Sequence, residues 1–297
     1  LHGEKLGLEE MLSIEKAANL DQNKSKLNVK DLFNKSLSFV LIVGLVIGVL
    51  QQITGINAVY FYATSIFKQT GIGTDASFSS GVLLSTISVI FTFVAIYLID
   101  RMGRRPLLLI GTAGISLSLL LCSYGFNQAT YQLKQANIDA FEFINSNDLS
   151  LLSDKVYDSD VEFKREVKKI LGNQVYSKND GEILESATNI NATLILIGIL
   201  GFIACFAFSL GPVMWVLHSE LYPIKYRGLA IGVIAFINSL ISSLVQLIFP
   251  WELSNLGNAL TFFIFGSISL IGFFVLLKIL PETKGKSLEE LELKIQN

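Results

Sequence analysis

Six stretches of this chain, 36–67, 76–99, 107–127, 186–217, 229–251 and 256–277, contain no Asp, Glu, Lys or Arg. Each is long enough to cross the apolar layer of a bilayer, which takes about 20 mostly apolar residues. That pattern predicts six transmembrane helices and an all-α membrane protein. Composition agrees: 51% of residues are hydrophobic and 16% charged, against about 25% charged in soluble domains. The formal net charge of −2 gives no basic footprint for nucleic acid. Cys122 and Cys205 fall inside predicted spans and read as small packing residues.

The segments between the runs set the organisation. Residues 1–35 are polar, with an amphipathic stretch around Leu8, Met11, Leu12 and Ile14, and read as a cytoplasmic helical linker without a signal peptide. Because the chain starts at Leu1, a preceding segment is expected. A membrane domain over 36–280 follows, then a cytoplasmic tail over 281–297. Residues 127–190 hold eleven acidic and seven basic side chains, so they read as a small extramembrane insertion of short helices, such as Val161–Leu171. Span one, at 36–67, is longer than a bilayer needs, and tilting or a break would absorb the excess. Span four contains Gly211-Pro212, which implies a break whose freed backbone groups need new partners.

Basic residues in short loops set orientation. Lys or Arg sits at the membrane edge in 100–106, 220–228 and the segment after Pro281, whereas 68–75 and 251–257 hold one lysine between them. The reading is a multi-pass protein of the plasma or bacterial inner membrane, with both termini cytoplasmic and the insertion outside. The spans divide into two triples, each opened by a Gly-interrupted segment with polar or aromatic residues. Three helices per repeat makes the repeats inverted, the arrangement in which secondary transporters place a site where discontinuous helices meet.

Nothing resembles a catalytic or metal-binding constellation, so no enzyme, cofactor or metal is expected. His218 reads as a solvated or helix-end residue. The polar groups within the runs are neutral: Gln51, Gln52 and Asn57 lie in span one, beside Thr54 and Gly55. An amide left without a partner in hydrocarbon costs roughly 2–7 kcal/mol, so these groups must meet protein, water or ligand. Each offers two donors and a two-lone-pair acceptor, which suits a polyhydroxylated neutral ligand. Helix-to-helix bonding is the alternative. On an unbroken helix Gln51, Thr54, Ala58 and Tyr62 share a face, with Gln52 and Asn57 to either side. Convergence of the three amides requires loosening near Gly55. Trp215, just after Gly211-Pro212, offers an apolar face and an indole N–H.

Gln51-Gln52-Ile-Thr-Gly-Ile-Asn57, Asp100-Arg-Met-Gly-Arg-Arg105, Gly211-Pro-Val-Met-Trp215, Ser219-Glu-Leu-Tyr-Pro223 with Arg227-Gly228, and Pro281-Glu-Thr-Lys-Gly285 resemble the sugar-porter branch of the major facilitator superfamily. That branch includes glucose facilitators and bacterial proton symporters for xylose, arabinose and galactose. The resemblance covers nearly everything but the insertion and corresponds to the C-terminal six-helix half. It implies that Gln51, Gln52, Asn57, Trp215 and Asn238 bind sugar, and the helical face shared with Gln51 adds Tyr62 to the candidates. It also implies that Asp100, Arg104, Arg105, Glu220 and Arg227 form a cytoplasmic ion-pair gate. Ser239, Ser88 and Phe61 depart from residues common in that branch, which leaves the preferred sugar open.

The expected function is transport of a hexose or pentose by alternating access between two six-helix halves, with or without proton coupling. The implied partners are a monosaccharide, the lipid bilayer, an N-terminal half and, in a symporter, protons. A non-transporting sugar receptor and an inactive half-transporter are the competing readings.

Overall fold

The computed structural model describes residues 32, 35–68, 74–139, 141 and 149–284. The expected linker over 1–35 lies almost wholly outside the described residues, as do most of the turn at 68–75 and the tail beyond Lys284. Six helical paths are long and apolar enough to cross a membrane: Leu37–Ala63, Gly81–Met102, Arg104–Asn127, Ala192–Leu221, Ile224–Asn255 and Gly257–Ile279. The observed paths overrun several charge-free runs. The second extends through Asp100 and Arg101, and the fifth continues past Pro250 to Asn255. Charged and amide residues at helix ends reach the headgroup layer without leaving the helix.

Spans one and four are each built from two helices. Span one is α1 (Lys35–Ile53) and α2 (Ile56–Lys68), separated at Thr54-Gly55. Gly55 has φ +83°, a conformation that side chains with a Cβ adopt only under strain. Span two is α3 (Thr74–Met102) and span three is α4 (Arg104–Asn127). Span four is α7 (Ala192–Phe208) and α8 (Pro212–Leu221), separated at Ser209–Gly211. Pro212 opens α8 at a position where its missing N–H costs nothing. Span five is α9 (Ile224–Asn255) and span six is α10 (Gly257–Ile279).

The packing maps onto itself when the triples are exchanged. Span one packs on span five and span four on span two; span three packs on span four and span one on span six; spans three and six pack on each other. Together with the two equivalent breaks, this is the inverted-repeat architecture expected from the sequence. Spans two and five differ from the rest in being only 17% buried. Their open faces carry apolar side chains such as Phe93 and Phe236. They also carry Ser85, Thr86, Ser239 and Ser243.

Between spans three and four the chain forms a unit that the sequence indicated only as short helices. It contains β1 (Thr130–Gln132), α5 (Gln135–Asp139), β2 (Val156–Tyr157), α6 (Asp160–Ala187) and β3 (Thr188–Asn189). The strands form an antiparallel sheet in the order β2-β1-β3. Non-helical backbone at Gly172 folds α6 back on itself. A separate apolar core joins sheet and helix, with Phe163 against Tyr131 and Tyr157 and with Val167, Ile183 and Leu184 around them. Burial, helped by the charge of Asp160, pushes the Tyr131 phenol well above the usual range, so this core stays neutral.

Asp160 fastens this unit to the membrane domain. Its Oδ2 accepts from Lys164 Nζ at 2.8 Å, from Asn258 Nδ2 at 3.1 Å and from the Asn258 N–H at 3.4 Å. The carboxylate therefore caps the N-terminus of α10 while pairing within α6. Both side chains of the pair are about one-tenth exposed, at 10% and 11%. Asp160→Ala should lower stability by about 3–5 kcal/mol, the cost of orphaning one member of a buried pair. Adding Lys164→Met should recover part of that loss. Thermal unfolding midpoints and protease sensitivity of the 127–190 unit measure both effects, and an unchanged midpoint in Asp160→Ala would refute the fastening role.

Candidate functional site

The break at Thr54-Gly55 is what lets the amides of span one converge. Thr54 Oγ1 donates to Gln51 O at 2.8 Å and the Gly55 N–H to Gln52 O at 3.0 Å, so the exposed carbonyls of α1 are satisfied locally. The glycine turn then rotates α2 so that Asn57 comes alongside Gln52. Asn57 Nδ2 donates to Gln52 Oε1 and to Ser242 Oγ, both at 2.8 Å. Gln52 Nε2 donates to Gln51 Oε1 and Asn238 Oδ1, both at 3.1 Å. Asn238 Nδ2 donates to Gln51 Oε1 and to Gly48 O, both at 2.8 Å. Gln51 Nε2 donates to Leu210 O, at the break in span four, at 2.9 Å.

These four amides form one continuous network across spans one, four and five. Helix bonding, one of the alternatives left by the sequence, is visible in part of it. Gln51 and Asn238 are buried and tie helices together through backbone carbonyls. Gln51, Gln52 and Asn57 line a cleft of about 440 Å³, within the range of small-molecule sites. Trp215 and Pro212 close one side of it, and Tyr60, Ser88 and Thr92 another. Trp215 is 42% exposed, leaving its ring available to a ligand. The hydroxyls of Ser88 and Thr92 belong to span two, whose open face borders the cleft.

Tyr62 does not line the cleft. The turn at Gly55 destroys the single-helix register that put it beside Gln51, and its ring instead packs 5.5 Å from that of Phe249. Tyr60 occupies the wall in its place. Ser242 is a site residue that sequence reading missed. It lies one helical turn beyond Asn238 on α9, and that spacing was the available signal. His218 is at a helix end as expected but is not solvated. It is fully buried, with Nε2 3.2 Å from Gly44 O, Nδ1 without a partner, and its ring edge-on to Trp215.

At the end of the bundle that carries the basic loops, the expected ion-pair cluster forms in part. Arg104 Nη2 lies 2.6 Å from Glu220 Oε1 and 3.3 Å from Asp100 Oδ1, bridging spans two, three and four. The Arg105 and Arg227 side chains have no acidic partner among the described ion pairs. Arg105 Nη2 donates to Leu277 O at the end of span six, and Arg227 Nε to Tyr222 O. Two residues without an assigned role complete the cluster. Glu282 accepts from the Arg104 and Arg105 N–H groups, both at 3.2 Å, and so caps α4. Thr283 donates to Glu220 Oε2 at 2.7 Å. Gly103, with φ +93°, admits this carboxylate, because a Cβ there would lie 2.7 Å from Glu282 Oε2. The motif Pro281-Glu-Thr directly after the last span was the visible signal.

The chain matches the family described as "Sugar (and other) transporter" over residues 2–143 and 170–294. It is 27% identical over 292 residues to an arabinose-proton symporter of Bacillus subtilis, covering 98% of this chain and 50% of that protein. It is 30% identical over 260 residues to the glucose transporter GlcP of Staphylococcus epidermidis, covering 88% and 46%. Among solved structures it resembles the proton:xylose symporter XylE bound to 6-bromo-6-deoxy-D-glucose. The TM-score is 0.59 and the identity 26%, over 86% of this chain and 42% of that one. The chain spans about half the length of the curated relatives it matches.

The capping by Glu282 generates a prediction. Hydrogen bonds to a charged group contribute about 1.5–3 kcal/mol, so Glu282→Ala should free the segment after Leu280 from α4. Maleimide labelling of a cysteine placed at Lys284 should then accelerate about tenfold. Equal rates with and without Glu282→Ala would show that the cap does not hold the segment.

Proposed function

Because the chain belongs to the sugar (and other) transporter family, we propose that it forms the C-terminal half of a transporter that moves a neutral monosaccharide by alternating access. The observation that carries this reading is the cleft at the joint of two broken spans, walled by Gln52, Asn57 and Trp215. Its polar wall is made of amides and hydroxyls, and among the described residues no carboxylate or ammonium lines it. A sugar ring would present hydroxyls to Gln52 and Asn57 and C–H groups to Trp215. The relatives named for arabinose, glucose and xylose support a hexose or pentose as substrate.

The other wall of the site is the N-terminal six-helix half. Two facts support that partner. The chain spans about half of its relatives, and spans two and five, which flank the cleft, are the least buried of the six spans among the described residues. In the proposed orientation the ends bearing Asp100, Arg104, Glu220 and Glu282 are cytoplasmic, by the excess of basic residues in those short loops. The insertion then stands on the opposite side. Arg104, shared between Asp100 and Glu220 and backed by Thr283 and Glu282, would hold the inner end of the cleft shut. A few such contacts can bias two states separated by a few kcal/mol. Where a relative is a proton symporter, the corresponding titrating group in this protein would lie in the other half, since the charge-free runs here offer none.

Uptake of labelled hexoses and pentoses by the complete protein in proteoliposomes tests the proposal. Gln52→Ala and Asn57→Ala should each weaken sugar affinity at least tenfold, the loss of a ligand bond plus the disruption of the network. Tyr62→Phe should leave uptake unchanged. Wild-type affinity in both alanine variants would remove the pocket assignment, and absence of uptake of any monosaccharide would remove the transport reading.

A further inference from the structure

The insertion carries more acid than base, yet four of its seven basic residues, Lys164, Arg165, Lys168 and Lys169, wall a single cavity of about 380 Å³. They stand at positions i, i+1, i+4 and i+5 of α6, which places them on one helical face. The opposite wall is the last turn of span five, where Ser254 and Asn255 supply neutral polar groups. Among the described residues no carboxylate lines the cavity. Two acids of α6 beside it are already engaged: Asp160 holds Lys164 and Asn258, and Glu166 holds Lys169. Arg165 has no acidic partner among the described ion pairs, and Lys168 lies 5.0 Å over the Tyr176 ring. The field there is positive. Glu166 is held below the usual carboxylate range by its bond to Lys169 first, and also by the charges of Lys169, Lys155 and Arg165.

The depth of the cavity identifies the ligand. Ser254 and Asn255 close a membrane span, and Trp251, one turn earlier, is 58% exposed, as expected of an aromatic residue at the headgroup level. A cationic cavity at that level, between a soluble unit and the end of a span, meets the phosphates of lipid headgroups. We propose that Lys164, Arg165, Lys168 and Lys169, with Ser254 and Asn255, bind a phosphate-centred anion supplied by the headgroup of an anionic lipid. Guanidinium and ammonium groups give charge-assisted bonds to phosphate oxygens, and a lipid held there would join the insertion to the membrane surface beside span five. This site is separate from the amide cleft and does not depend on which sugar, or whether any sugar, is carried.

The complete protein in phosphatidylcholine nanodiscs, titrated with phosphatidylglycerol, tests the assignment through its thermal unfolding midpoint. Wild type should gain stability saturably as the anionic lipid increases. Each basic residue near an anionic surface contributes about fivefold in binding, so Arg165→Gln with Lys168→Gln should need about 25-fold more phosphatidylglycerol for the same gain. Arg165→Gln alone, which leaves the Lys168–Tyr176 contact intact, should need about fivefold more. Lys178→Gln, on the far arm of α6, should behave as wild type. In a second arm, inorganic phosphate is added to pure phosphatidylcholine nanodiscs against chloride at equal ionic strength. Stabilisation by phosphate alone, lost in the double variant, would identify a free anion as the source and uphold the site. Identical lipid titrations for wild type and both Arg165 variants, with no phosphate effect, would overturn it.

Discussion

Everything in this half-bundle depends on how two interrupted membrane helices satisfy their freed backbone groups. A helix buries its own N–H and C=O groups, and each interruption exposes several of them to a medium that offers no partner. At Thr54-Gly55 the repair is local, through the Thr54 hydroxyl and the Gly55 N–H. At Ser209–Gly211 it is partly local, with the Ser209 hydroxyl on Cys205 O and the Gly211 N–H on Phe206 O. The remaining carbonyl, Leu210 O, is taken by Gln51 from the other break. The two symmetry-related interruptions are therefore bonded to each other, and the bond is made by the first residue of the amide network.

That arrangement explains why structure and site are hard to separate here. Gln51 repairs one break and orients Gln52 and Asn238 through its side-chain oxygen; Gln52 in turn positions Asn57. A ligand oxygen entering the cleft would meet Gln52 and Asn57 N–H groups that already have partners, so it would exchange bonds with them. Exchange keeps the buried polar groups satisfied with or without ligand. It also ties occupancy to the contact between spans one, four and five, since the bonds a ligand would replace are those that connect them.

Much of this was legible from residue order. The charge-free runs located the spans, because charge exclusion from hydrocarbon is the strongest composition constraint a membrane imposes. Gly55 and Gly211-Pro212 marked both breaks, since backbone freedom and a missing donor leave signatures that do not depend on neighbours. Gln51, Gln52 and Asn57 stood out through the cost of burying amides. Tyr62 was misplaced for the complementary reason: helical-face arithmetic assumes one register, and a single positive φ resets it. Ser242 and Thr283 escaped notice because a hydroxyl is cheap in a membrane helix or loop, and its importance lies only in what stands opposite. The sheet of the insertion was equally hidden. Its strands are two or three residues long, too short for alternation to register, and their pairing joins segments far apart in the chain.

The insertion also shows how a membrane fold admits an extra unit without disturbing the helices around it. Its apolar core is distinct from that of the bundle, and the two meet at Ile190. The polar part of the connection lies at the N-terminus of α10, where Asp160 meets orphan helix N–H groups and the positive end of the helix dipole, and α6 also touches α2 of span one. Span six also packs on spans one and three, the first of which holds the amide network. A carboxylate at the head of span six is thus one helix removed from the cleft. Movement of span six against its neighbours must carry the insertion with it or break the hydrogen bonds from Asn258 to Asp160, so the insertion adds its own mass and surface contacts to any rocking of this half.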